Sequence, residues 1–156
     1  MSDILKRSIK IGLFAFLIVI VQVAVVSQLT DLPINLAFSA IIAFASLLGL
    51  LEISVLTGAL LVGSTLLVYN GFIFWIYPVI GIIAQRINPY HIADKLLVSI
   101  MGVFVFTPIL ELFNPSSLNY LQKIISALLF NLITTIPMYF LVKILFYKPK
   151  QALSFR

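Results

Sequence analysis

The chain has 156 residues, 62% of them hydrophobic and only 10% charged, with a mean hydropathy of +1.19. A soluble domain carries about 25% charged residues to face water, so ten basic and five acidic side chains cannot clothe a soluble fold, and the surface is expected to meet lipid. The net charge of +5 gathers at the ends of apolar runs, which fits membrane orientation rather than nucleic acid, and the absence of cysteine excludes disulfides, thiolate metal clusters and thiol nucleophiles.

The first apolar run predicts a helix over residues 9–27, with Lys6, Arg7 and Lys10 ahead of it or at its start. Ser27, Gln28 and Leu29 make a poor cleavage site, so the run reads as a retained helix rather than a signal peptide. Asp31-Leu32-Pro33 breaks the pattern, and a second helix is expected over 34–51, stopping at Glu52. The third spans 53–69 and ends at the turn signal Asn70-Gly71. The fourth covers 72–85, holds Pro78 and is closed by Arg86, Asn88 and Pro89. The fifth spans 92–113 with Pro108 inside, and Asn114-Pro115 ends it. The sixth spans 118–147 and contains Pro137.

These runs predict an all-α integral membrane protein, one transmembrane helical domain over 1–156 with a short basic tail over 148–156. Six crossings are expected, with four crossings plus a re-entrant pair as the alternative. The third and fourth runs are short against about 30 Å of hydrocarbon. Either count puts Lys6, Arg7 and Lys10, the Arg86/Lys95 loop, and Lys143, Lys148, Lys150 and Arg156 together in the cytoplasm, with both termini. Lys123 alone falls on the wrong side.

Polar groups at membrane depth are costly and mark candidate sites. Glu111, near the outer end of the fifth helix, could hold a cation, relay a proton or pair with a partner's basic residue, or else be a solvated interface residue. Glu52 reads as a solvated turn residue, and Asp94 as an acid beside a helix N-terminus. Gln22, Asn131 and Thr134 can hydrogen-bond between helices, and Asn131 with Pro137 forms a polar stretch in the sixth. His91 lacks companions for a metal site. Phe72, Phe74, Trp75 and Tyr77 fit an aromatic belt at the outer interface. Small residues four apart permit close helix approach: Ser39 and Ala43, Ala45 and Gly49, Ala59 and Gly63. Ala45, Gly49, Ala59 and Gly63 are the expected partner-packing surface. On that reading Gly63→Leu weakens association without unfolding the bundle. No catalytic triad, carboxylate pair or phosphate-binding glycine loop can be assembled, so neither enzyme activity nor a cofactor is expected.

The arrangement resembles the bacterial rod shape-determining protein MreD family over essentially the whole chain. The resemblance rests on the break at Asp31-Leu32-Pro33, the helix opening Thr57-Gly58-Ala59-Leu60-Leu61-Val62-Gly63, the basic loop after Gly81-Ile82-Ile83-Ala84-Gln85-Arg86, and Asn131-Leu132 ahead of Pro137 with a basic tail. Ser64 to Asn70 lacks the acidic residue common in the family, so no site residue is carried over. The resemblance implies a non-enzymatic scaffold in the bacterial inner membrane, serving lateral cell-wall synthesis and rod shape. Its partners would be an MreC-like bitopic protein, RodA, a penicillin-binding synthase and MreB. The rival reading, with a similar fold, is a substrate-binding subunit of an energy-coupling-factor vitamin transporter. The alanines four apart that often mark its first helix are missing: Val19 and Gln28 stand four positions after Ala15 and Ala24.

Overall fold

Asn35 starts the helix around which the rest is built. In the computed structural model, its side-chain oxygen accepts a hydrogen bond from the Phe38 amide at 2.9 Å, satisfying one of the orphan donors of a helix N-terminus. The structure describes residues 3–26, 34–67, 76–87, 94–112 and 120–147. Within them lie six α-helices and no strand: α1 Asp3–Val21, continued by a π-helical turn Gln22–Val26; α2 Leu36–Leu47; α3 Leu50–Leu67; α4 Ile76–Ile87; α5 Lys95–Leu112; and α6 Tyr120–Leu145.

The helix that Asn35 caps, α2, is buried at every residue from 37 to 47 and touches all five others. A helix that is apolar all round belongs in an interior, and Leu36–Leu47 offers alanine, serine, isoleucine and phenylalanine on every face. Around it α1 packs on α3, α3 on α4, and α5 on α6. One hydrophobic core runs through all six. Phe14, Phe44 and Phe146 seal one end, with centroid separations of 5.3 to 6.0 Å.

Contacts fix the direction of each helix. Arg7 near the start of α1 reaches Glu52 in the first turn of α3 and the Phe146 carbonyl just past α6. Ser46 late in α2 meets Ser99 early in α5. At the opposite end Asn35 meets Tyr77, early in α4, and Glu111 late in α5 meets Lys123 early in α6. The helices therefore alternate in direction, and Asp3 and Tyr147 lie at the same end.

Several expected boundaries move. The first helix begins at Asp3 rather than Ile9. The second stops at Leu47 rather than 51, because Leu48 is extended (φ −122°, ψ 174°) and Gly49 breaks the run. Glu52 is consequently not a solvated turn residue. It lies in the first turn of α3, where an acid suits the dipole, with its side chain only 18% exposed and paired to Arg7. The third helix begins at Leu50 rather than 53 and has 18 residues, while α2 and α4 have 12 each, or about 18 Å of length. Asp94 caps α5 as expected, accepting from the amides of Leu96 and Leu97 at 3.0 and 3.2 Å. Pro108 and Pro137 lie inside helices that continue past them. Asp31, Pro33, Asn70-Gly71, Phe72, Phe74, Trp75, His91, Asn114-Pro115 and the 148–156 tail fall outside the described residues.

Candidate functional site

Two helices, α5 and α6, are long and apolar enough by length and composition to cross a membrane. On both, the buried stripe is more polar than the exposed one. On α6 the inner stripe reads Ala127, Asn131, Thr135, Met138, Tyr139 and Val142 at helical spacing. Its outer face carries Leu121, Ile125, Leu129, Ile133, Phe140 and Ile144. On α5, Ser99 and Thr107 turn inward with Val103, Phe106 and Leu110, while Leu97, Met101, Phe104, Val105 and Leu112 are exposed. A helix packed on a core in water shows the reverse.

The inward hydroxyls and amides form a polar seam where α2, α5 and α6 meet. Thr134 shares a 2.7 Å hydrogen bond with Ser39 of α2 and also donates back to the Phe130 carbonyl. Asn131 donates to the Thr107 hydroxyl at 3.1 Å. Ser46 and Ser99 pair at 2.7 Å. Asn131 Oδ1 and Thr135 Oγ1, one helical turn apart, are buried without a protein partner. Such a pair of acceptor and hydroxyl matches what a single bridging water satisfies.

Each expected polar site residue has a definite neighbour. Gln22, at the start of the π-helical turn, donates to the Ile34 carbonyl at 2.9 Å and accepts from the Leu36 amide at 2.7 Å. It thereby holds the start of α2 against α1. Glu111 pairs with Lys123 of its own chain at 3.1 Å, the side chains being 13% and 20% exposed. The carboxylate and the lysine on the wrong side are thus two halves of one feature. Asn35 was not among the sequence candidates, yet it both caps α2 and exchanges hydrogen bonds of 2.7 and 3.0 Å with the buried Tyr77 hydroxyl. The signal was present, since an asparagine just before an apolar run is a capping signature.

The small-residue surface is largely turned inward. Ala45 is buried in α2, and Gly63 packs against Val19 and Phe16 of α1. A Cβ at Gly63 would lie 3.3 Å from Val19 Cγ2. Gly63→Leu is therefore expected to force α1 off α3 and lower the melting temperature, contrary to a selective loss of association. Gly49 is exposed beside Glu52, and Ala59 is half-buried, so these four residues do not make one outward face.

At the end shared by Asp3 and Tyr147, charges line two open grooves on either side of Arg7. One, of about 320 Å³, is bordered by Asp3, Lys6, Arg7, Lys10, Leu145 and Phe146. The other, of about 240 Å³, is bordered by Asp3, Ile4, Arg7, Ser8, Ile11, Leu51 and Glu52. Among the described residues no group of three potential metal ligands comes together. The chain matches no protein-family model, no curated protein and no solved structure.

Proposed function

We propose that the chain is an integral membrane protein whose six helices sit in the bilayer, with both termini on the cytoplasmic side. The observation that carries this reading is the inverted pattern of α5 and α6, in which polar side chains face one another and aliphatic ones face out. The ends fit it too. Lys6, Arg7, Lys10, Arg86, Lys95 and Lys143 fall at one end of the bundle, where the positive-inside rule puts them. Lys123, at the other end, is neutralised by Glu111. With α2 enclosed by the other helices, its 12 residues need not match the hydrocarbon thickness as a lipid-facing helix must.

Within that class, the particular reading is a non-enzymatic scaffold of the bacterial cell-elongation machinery, in the role of MreD. Its support is the resemblance in sequence, together with an interior whose polar groups are mostly spent on one another. The outward aliphatic faces of α1, α5 and α6 are what such a scaffold offers to membrane partners, where packing and a few hydrogen bonds set affinity. Affinity purification of the tagged chain in mild detergent, followed by mass spectrometry, is expected to recover an MreC-like bitopic protein or a wall-elongation synthase. Recovery instead of paired ATPases with a transmembrane coupling protein would replace this reading with the transporter subunit. The observation on that rival's side is the unpartnered Asn131 Oδ1 and Thr135 Oγ1, which a small polar ligand could engage.

A further inference from the structure

We propose that the larger groove, between the start of α1 and the end of α6, binds the headgroup phosphate of an anionic phospholipid. The inference rests on the membrane reading above and adds a ligand to it.

Asp3, Lys6, Arg7 and Lys10 occupy one face of the first turns of α1, at the three- and four-residue spacing that aligns side chains. That face looks onto Leu145 at the end of α6 and Phe146 just past it. Three cations meet one carboxylate there. The other groove has two carboxylates, Asp3 and Glu52, against Arg7 alone. An anion is thus directed to the first and repelled from the second. The C-terminal end of α6 contributes partial negative charge, but its Phe146 carbonyl already accepts from Arg7 Nη2 at 3.1 Å. The same nitrogen holds Glu52 at 3.3 Å. Arg7, its side chain 40% exposed, is therefore held in place beside the groove, and its buried Nε has no hydrogen-bond partner. Lys6 and Lys10 are exposed at the rim.

The occupant is a lipid rather than free phosphate because of what continues below the rim. Along α1 the stripe of Lys6 and Lys10 runs on into Leu13 and Leu17, and beside the groove α6 presents Leu141 and Leu145, all exposed. A headgroup among the lysines places acyl chains along these aliphatic residues. Basic grooves at the cytoplasmic level of helical membrane proteins suit such headgroups on electrostatic grounds.

The test uses the full chain purified in mild detergent and given equal amounts of phosphatidylglycerol and phosphatidylcholine, with bound lipid counted by native mass spectrometry. Wild-type protein is expected to retain phosphatidylglycerol preferentially. Each of Lys6→Gln and Lys10→Gln is expected to lose about fivefold of that preference, the worth of one basic residue near an anionic surface. Lys143→Gln removes the same charge from an exposed lysine of α6 that stands over the Tyr139 ring and does not line the groove, and is expected to leave the preference intact. Equal retention of both lipids, or an equal loss in Lys143→Gln, overturns the site. Displacement of phosphatidylglycerol by millimolar inorganic phosphate overturns the lipid assignment in favour of a soluble anion. Reconstitution into phosphatidylcholine vesicles with alkaline carbonate extraction is run in parallel. Wild-type protein that stays inserted yet shows no preference refutes the groove alone, whereas protein that is extracted refutes the membrane reading as well.

Discussion

Gly81→Leu is expected to be the most damaging single substitution, abolishing a monodisperse folded species in detergent. Gly81 lies on α4 where it crosses α2 and α3, and it is buried. A Cβ there would stand 2.8 Å from Ile53 Cγ2, 3.3 Å from Ile41 Cγ2 and 3.4 Å from Thr57 Cγ2. Two of these neighbours are isoleucines buried completely, and all three are β-branched, so none can swing aside as a long flexible side chain would. Overpacking of this kind costs about 1–3 kcal/mol. Leucine adds three more carbons to the clash and should lie at or above the upper end. Gly81→Ala is the graded control, expected to lower the melting temperature while leaving a folded protein. Size-exclusion profiles and thermal melts of the two variants measure the effect. A Gly81→Leu protein as stable as wild type would mean that α4 does not cross α2 and α3 this closely.

The second large effect is expected from Lys123→Met, with rescue by a second change. Removing the lysine leaves Glu111, its side chain 13% exposed, with no counter-charge among the described residues. Breaking a buried pair by losing one partner costs about 3–5 kcal/mol. Residual exposure here reduces that to roughly 2 kcal/mol, since surface pairs contribute less than 1 kcal/mol. Glu111→Gln/Lys123→Met removes both charges together and is expected to recover most of the stability, as apolar or neutral replacements of buried pairs commonly do. A double variant no more stable than Lys123→Met would show that Glu111 is not Lys123's partner, and would reopen Glu111 as a cation or proton site.

How far the sequence disclosed this architecture depended on the kind of signal each position carries. Helix identity was plain, because apolar runs punctuated by Pro and Asn-Gly leave little choice. Element boundaries inside continuous apolar sequence were not. Leu47-Leu48-Gly49-Leu50-Leu51 has no polar break, so only Gly49 hinted that α2 ends before Glu52. The direction in which small residues face was equally hidden. Ala45 and Gly63 fit a helix–helix contact in sequence, and they do make one, but with neighbours in their own chain. Period alone cannot tell an inward contact from an outward one when both faces are apolar. Gln22, Asn131 and Thr134 were recognisable as interhelical polar groups because their cost in an apolar segment demands a partner. Which partner each takes depends on tertiary register, as with Ser39 and Thr134, 95 positions apart.

The central placement of α2 bears on how the chain is made. It is the second helix to be synthesised, yet it packs on the last. Until α5 and α6 emerge from the ribosome, Ser46 waits for Ser99 and Ser39 waits for Thr134. The enclosed helix therefore passes through biogenesis with its later neighbours missing. Contacts this distant in sequence close late and slow the final step. A chain truncated before Tyr120 would keep Ser99 for Ser46 but leave Ser39 permanently without Thr134.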